Sequence, residues 1–93
     1  MTQRFDTVYR VGGDDIAWRE AGDEIVILDT VSSVYFGLGG SGARLWRRLA
    51  EGATAQEMVA VLTADAPAES ARAAADLEAF LDTLLGYRLI QRS

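Results

Sequence analysis

Residues 33–38 read Ser33-Val34-Tyr35-Phe36-Gly37-Leu38. A short run of β-branched and aromatic residues, with Ser32-Ser33 before it and Gly39-Gly40 after it, is the pattern of a β-strand bounded by turns. It is the last strand-like stretch before the chain turns helical near Ser41. If the segments before it form a meander, this strand ends the sheet. One row of its N–H and C=O groups then has no partner, which makes it either a liability or a template for another strand. The second reading fits a sheet edge kept open so that a peptide can add to it.

The segments before it support a meander. Ile16-Ala17-Trp18-Arg19-Glu20 places Ile16 and Trp18 on one face. Ala21-Gly22-Asp23 is a connection of hairpin type. Glu24-Ile25-Val26-Ile27-Leu28-Asp29 holds four consecutive apolar residues, which suggests a central strand covered on both faces. Thr30-Val31-Ser32 leads into the last strand. Upstream, Gly12-Gly13-Asp14-Asp15 is a strong turn signal, and Val8-Tyr9-Arg10-Val11 reads either as a short strand or as an extended arm.

After Gly40 the apolar period becomes helical. Ser41 is expected to cap a helix carrying Leu45, Trp46 and Leu49 and ending at Gly52. Thr54-Ala55-Gln56-Glu57 has the form of a capping box and opens a helix with Met58, Val59 and Leu62. The short link between the two is a helix-turn-helix spacing. Asp65-Ala66-Pro67 breaks the second helix, and Pro67 suits the first turn of a third. In that third helix Leu77, Phe80, Leu81, Leu84 and Leu85 form the cleanest stripe in the chain, and Gly86 is expected to close it. The expected fold class is α+β, a three-stranded antiparallel sheet followed by three helices, like a winged helix-turn-helix. All 93 residues are assigned to one domain. Residues 1–14 are an arm or extra strand, 15–38 the sheet and 41–86 the helices.

Composition narrows the chemistry. Apolar residues make up 49% of the chain, enough for one packed core. Cysteine and histidine are both absent, so there is no disulfide framework, no thiolate, and none of the commonest general base or metal ligand. No apolar run approaches the roughly 20 residues that span a membrane, and the N-terminus lacks the apolar centre of a signal peptide. The expected location is the cytoplasm. Nine arginines, no lysine and fourteen acidic residues give a net charge of −5, which argues against nucleic acid as a partner. The helix that would read DNA offers Gln56 and Glu57 and no cation. Gly37–Gly42 is glycine-dense, but its spacing matches neither the dinucleotide fingerprint nor the P-loop, and it reads as a strand-to-helix turn. Asp14-Asp15 likewise reads as a turn. The cluster Arg44, Arg47 and Arg48 is either a solvated helix face or a contact for an acidic partner. Asp76, one turn before Phe80, is either a solvated carboxylate or a hydrogen-bond acceptor at the rim of a groove. The expectation is a non-enzymatic protein with no cofactor and no metal.

The ordered set Glu24–Asp29, Tyr35-Phe36-Gly37-Leu38, Leu45-Trp46, Gly52-Ala53-Thr54, Asp76–Leu84 and Leu89-Ile90 resembles the PqqD-like proteins, over about residues 15 to 90. Two departures are Gly39, where relatives often carry Asn, and the early glycine in Gly86-Tyr87-Arg88-Leu89. The resemblance implies a recognition element for ribosomally made, post-translationally modified peptides. In such domains the leader segment of a precursor peptide adds antiparallel to the third strand and lies against the third helix. Carried onto this chain, that places the leader along Ser33, Val34, Tyr35 and Phe36, facing Ala73, Asp76, Leu77 and Phe80. Val34 or Tyr35 and Phe80 would wall a hydrophobic groove, with Phe36 and Leu38 turned to the core. The chain looks most like the free-standing leader-binding protein of lasso-peptide biosynthesis, which works beside a leader peptidase and a macrolactam-forming cyclase. The alternatives are a peptide chaperone for a radical-SAM enzyme of quinone-cofactor biosynthesis and a winged-helix DNA-binding regulator. A monomer is expected, with the open edge as the route by which two copies would pair.

Overall fold

The structure is a computed structural model that describes residues 7–64 and 67–92. Residues 1–6 of the arm or extra strand expected over residues 1–14, and the helix-breaking pair Asp65-Ala66, lie outside the described residues. The elements run β1 (Val8–Val11), β2 (Ile16–Ala21), β3 (Glu24–Asp29), β4 (Val34–Leu38), α1 (Gly40–Glu51), β5 (Ala53–Thr54), α2 (Ala55–Thr63), a 3-10 turn over Pro67–Glu69, α3 (Ser70–Gly86) and β6 (Ile90–Arg92). The architecture is α+β, with antiparallel strands and three helices.

The larger sheet has the order β2-β3-β4, with β3 in the centre. Its register sets Trp18, Ile27 and Phe36 in one row and Ala17, Leu28 and Tyr35 in the next. Side chains alternate across a strand, so the first row faces the helices and the second faces out. Ile25 and Ile27 are fully buried, whereas Val26 and Leu28 on the outer face are half-buried. The apolar run of β3 therefore marks a central strand, but one covered completely on a single face. The ring of Trp46, buried on α1, meets Trp18 edge-on at 6.2 Å, a favoured aromatic geometry.

A second small sheet, of order β5-β1-β6, was not legible as a sheet in the sequence. Tyr9 pairs with both Ala53 and Arg92, so β1 ties the α1–α2 link to the C-terminal segment. The helix-turn-helix spacing is thus occupied by a two-residue strand. Gly52 precedes it at φ 84°, a backbone conformation that glycine adopts freely and L side chains rarely do. At α2 the capping box is complete: Thr54 Oγ1 accepts from the Glu57 amide and the Glu57 carboxylate accepts from the Thr54 amide. Such a cap is worth about 1 kcal/mol. At α1 the expected cap is absent. The helix begins a residue before Ser41, with Gly39 at the N-cap and no side-chain bond to it.

The inner stripe of α3 is Leu77, Leu81 and Leu84, all buried, with Phe80 and Leu85 packed partly against the core. The helix does not stop at a left-handed glycine. It runs through Gly86, and the left-handed residue is Arg88, at φ 61°. The Arg88 amide donates to the Leu85 carbonyl at 3.0 Å and the Leu89 amide to the Leu84 carbonyl at 2.9 Å, the paired bonds of a Schellman ending. Among the described residues no helix is long and apolar enough to cross a membrane.

A non-glycine residue in this conformation costs roughly 1–2 kcal/mol. Arg88→Gly is therefore expected to stabilise the protein by up to about 1 kcal/mol, since the added freedom of the unfolded chain offsets part of the relief. Urea denaturation reads this directly, and a variant less stable than the wild type contradicts it.

Candidate functional site

The free edge of the larger sheet is β4. Its start is fixed by a turn built on Asp29. The carboxylate accepts the amides of Val31 at 2.9 Å and Ser32 at 3.2 Å, and the Ser33 amide, at φ 60°, donates to the Asp29 carbonyl at 2.8 Å. The Ser32 amide foremost, then that of Val31 and the Ser32 hydroxyl, hold the Asp29 carboxyl below its ordinary value against an opposing desolvation. Thr30 links this turn to the preceding one, its amide and hydroxyl both donating to the Asp15 carbonyl at 2.8 and 2.9 Å. Asp15 thus works as a turn residue through its backbone.

The two edges of the sheet differ in chemistry. The outer strand β2 carries Arg19 and Glu20, and Glu20 is bound to Arg47 of α1 at 3.0 Å. Charged residues on an edge discourage a further strand. The strand β4 carries no charged residue, and Val34 and Tyr35 are exposed, Tyr35 by 69%. Phe36 and Leu38 on its inner face pack partly against the core.

A groove of about 530 Å³ opens beside the far end of β4. Ligand sites commonly measure about 300–1,000 Å³. Leu45, Leu62, Leu77 and Phe80 supply apolar lining, and Glu69, Arg72 and Asp76 supply charges. All four α3 residues proposed from sequence, Ala73, Asp76, Leu77 and Phe80, line it. They fall at i, i+3, i+4 and i+7 and so share one stripe. Ser33, Val34, Tyr35 and Phe36 do not line it. Its opposite wall comes from Ser41, Gly42 and Leu45 of α1 and Leu62 and Thr63 of α2, instead of from Val34 or Tyr35. β4 reaches the groove at Gly42 through Leu38, and not through Ser33, Val34, Tyr35 or Phe36. From the position of a Cβ on Gly42, Phe80 Cε1 lies at 3.6 Å and Leu38 Cδ2 at 3.7 Å. The groove thus continues the inner side of β4 beyond Leu38. Ser41, which is not the cap of α1, is one of its lining residues, and Arg72 joins Asp76 at 4.0 Å. Both side chains are more than 70% exposed, so the pair contributes little to stability.

The arginine cluster of α1 has a structural use. Arg44 donates to the Val61 carbonyl at 2.7 Å, Arg47 binds Glu20, and Arg48 reaches Glu51 at 2.7 Å and Glu57 at 3.7 Å. These bonds tie α1 to α2 and to β2. Among the described residues no group of three carboxylates is placed to hold a metal ion.

The family described as "Coenzyme PQQ synthesis protein D (PqqD)" matches residues 24–90. A search of the curated proteins finds no match. Among solved structures, the chain is similar to "TbiB1 in Complex with the TbiA(beta) Leader Peptide", at 29% identity and TM-score 0.80, over 88% of this chain and 94% of that one. It also shares the fold of "Lasso peptide synthetase B1 complexed with the leader peptide", at 23% identity and TM-score 0.78, over 89% and 96% of the two chains.

Because the folded carboxyl of Asp29 is held low, the turn's contribution is complete above the ordinary carboxylate value of 3.8 and is lost as pH falls through the lowered one. In an NMR pH titration the Val31 and Ser32 amides are expected to keep their shifts down to about pH 4 and to move together below it. Shifts that move between pH 5 and 7 would disprove that order.

Proposed function

We propose that this chain, which belongs to the PqqD family, is a non-catalytic recognition protein for the leader segment of a ribosomally made precursor peptide. The leader adds as an antiparallel strand to β4 and turns its side chains toward α3. The observation that carries this reading is the pairing of an uncharged, unpartnered edge with an adjoining apolar groove. Backbone bonds to such an edge supply affinity that depends little on sequence, while pockets for alternate side chains supply choice. Ser33, Val34, Tyr35 and Phe36 provide the edge, and Ala73, Asp76, Leu77 and Phe80 the facing wall. The neighbour at 29% identity is itself a complex with a leader peptide, which supports the same occupant here. The resemblance to free-standing leader-binding proteins, in line with the name of the second neighbour, favours lasso-peptide biosynthesis over quinone-cofactor biosynthesis, although the family description names the latter. In the lasso setting the chain delivers the leader to a leader peptidase and a cyclase, in the cytoplasm. An exposed Asp76 carboxylate would accept a bond from the leader once the strand covers it.

A leader disordered when free loses about 2–5 kcal/mol of the gross interaction to ordering. Titrating labelled protein with the TbiA(beta) leader peptide is expected to shift amides mainly in residues 31–38 and 69–85. A map centred on residues 54–64 would point to a different partner and overturn the reading.

Asp76 and Phe80 separate binding from folding. Asp76→Ala is expected to leave the melting temperature nearly unchanged and to weaken leader binding by about 1–3 kcal/mol, the cost of a lost bond in a covered site. Phe80→Ala is expected to reduce both, with a stability loss of about 2–3 kcal/mol, below the usual cost of a fully buried ring. Fluorescence anisotropy and thermal denaturation measure the two effects. Equal binding by Asp76→Ala would reduce Asp76 to a solvated helix residue.

A further inference from the structure

The ring of Tyr87 lies 5.0 Å from that of Phe36, tilted by 59°. This contact joins β4 to the end of α3, yet Tyr87 remains 56% exposed. Core packing alone does not call for a half-open aromatic at that point. We infer that Tyr87 is a specificity-determining wall of the leader cleft, reading the leader residue two positions after the one that enters the groove. This rests on the strand-addition reading above.

The register supplies the argument. Residues directly opposite each other in an antiparallel pair project to the same face, with Cβ atoms about 4.5–5.5 Å apart. The inner face of the sheet carries Trp18, Ile27 and Phe36 in one row, and a leader residue opposite Phe36 would be the fourth member of that row. Its side chain then stands beside Phe36, within reach of the open side of the Tyr87 ring. A leader residue opposite Leu38 faces the Leu38–Gly42–Phe80 junction and the groove. An antiparallel leader runs against β4, so the residue at the groove comes first and the residue at Tyr87 follows two positions later. The residue between them points to the outer face, opposite Gly37, which has no side chain to pair with it, and its one neighbour from β4 there is the diagonal, exposed Tyr35.

Tyr87 is also held in place as a wall must be. Its amide donates to the Thr83 carbonyl at 3.1 Å. The left-handed Arg88 reverses the chain directly after it, and Leu89 is buried, its carbonyl accepting the Gly12 amide at 2.7 Å. The backbone that carries the ring is thus held on both sides, and the Phe36 ring supports one side of the ring itself. An apolar side chain of the leader, aromatic or branched, matches a surface made of two aromatic rings.

The test uses the full chain and fluorescein-labelled TbiA(beta) leader peptide, unmodified and with each position changed in turn to alanine. Binding is read by anisotropy for wild type, Tyr87→Ala, Tyr87→Phe and Phe80→Ala, with thermal denaturation as the check on folding. Tyr87→Ala is expected to weaken the unmodified leader about tenfold, and Tyr87→Phe to stay within about twofold, because the ring and not the hydroxyl forms the wall. One apolar leader position should lose affinity for wild type when changed to alanine but lose nothing further for Tyr87→Ala. That position should lie two residues C-terminal to the one silenced by Phe80→Ala. Wild-type affinity in Tyr87→Ala, equal losses in Tyr87→Phe and Tyr87→Ala, or coupling spread over every leader position overturns the Tyr87 assignment and leaves strand addition standing. A wild type that does not bind the leader overturns strand addition, and the Tyr87 assignment with it.

Discussion

Everything in this fold depends on β3 having a strand on each side and a helix on one face. Ile25 and Ile27 are fully buried in one cluster with Trp46 and Leu49 of α1. Burying side chains of that size contributes roughly 1.5–3 kcal/mol each. A shift of register by one residue would turn both isoleucines to the outer face. The register is therefore fixed by the core, and with it the sides to which β2 and β4 present their residues. Once β3 is central, β2 and β4 have no choice but to be edges.

What separates the two edges is the set of bonds around α1. Arg47 reaches back to Glu20 and thereby ties β2 to the helix, while Arg44 and Arg48 tie the same helix to α2. Each exposed pair is weak alone, about 0.2–1 kcal/mol. Their placement matters more than their strength, since Arg44 and Arg48 fasten α1 to α2, and these two helices form the wall of the groove opposite α3. The small sheet of β5, β1 and β6 serves a similar end. It fastens the segment after α3 to β1, and through β1 to the link between α1 and α2.

The meander, the three helices and the capping box were legible because each rests on a local signal of period or cap chemistry. On α3 the stripe of Leu77 and Phe80 was legible for the same reason, whereas Ala73 came from the family resemblance; with Asp76 all of them line the groove. The second sheet was not. Ala53-Thr54 is too short to carry a period, and the pairing of Tyr9 with Ala53 and Arg92 joins residues far apart in the chain. The left-handed positions at Ser33 and Arg88 were hidden because the usual marker, glycine, is missing from both. Gly86 is the last residue of α3, as expected, but the left-handed residue lies two positions further on, at Arg88. The far wall of the groove, from α1 and α2, depends on how three helices converge, and no single stretch encodes that. The aromatic pair Phe36–Tyr87 belongs to the same class: each residue was visible alone, and only the fold brings them together.

These features bear on how a short strand could bind a flexible peptide at all. Association costs translational and rotational freedom, and any ordering of the receptor adds to it. In β4 that second cost is small before any peptide arrives. The Asp29 carboxylate holds its start, the partly buried Phe36 and Leu38 hold its inner face, and α1 begins directly after Gly39 at its end. The opposing wall is equally fixed, by the buried stripe of α3 and by the bonds that reverse the chain at Arg88. Only the peptide has to be ordered. A rigid edge with five residues gives few side-chain positions to choose by, and alternate ones point outward. On the proposed reading, selectivity would come from the small number of inward positions, and the groove beyond Leu38 and the Phe36–Tyr87 pair would carry more of it than the backbone ladder.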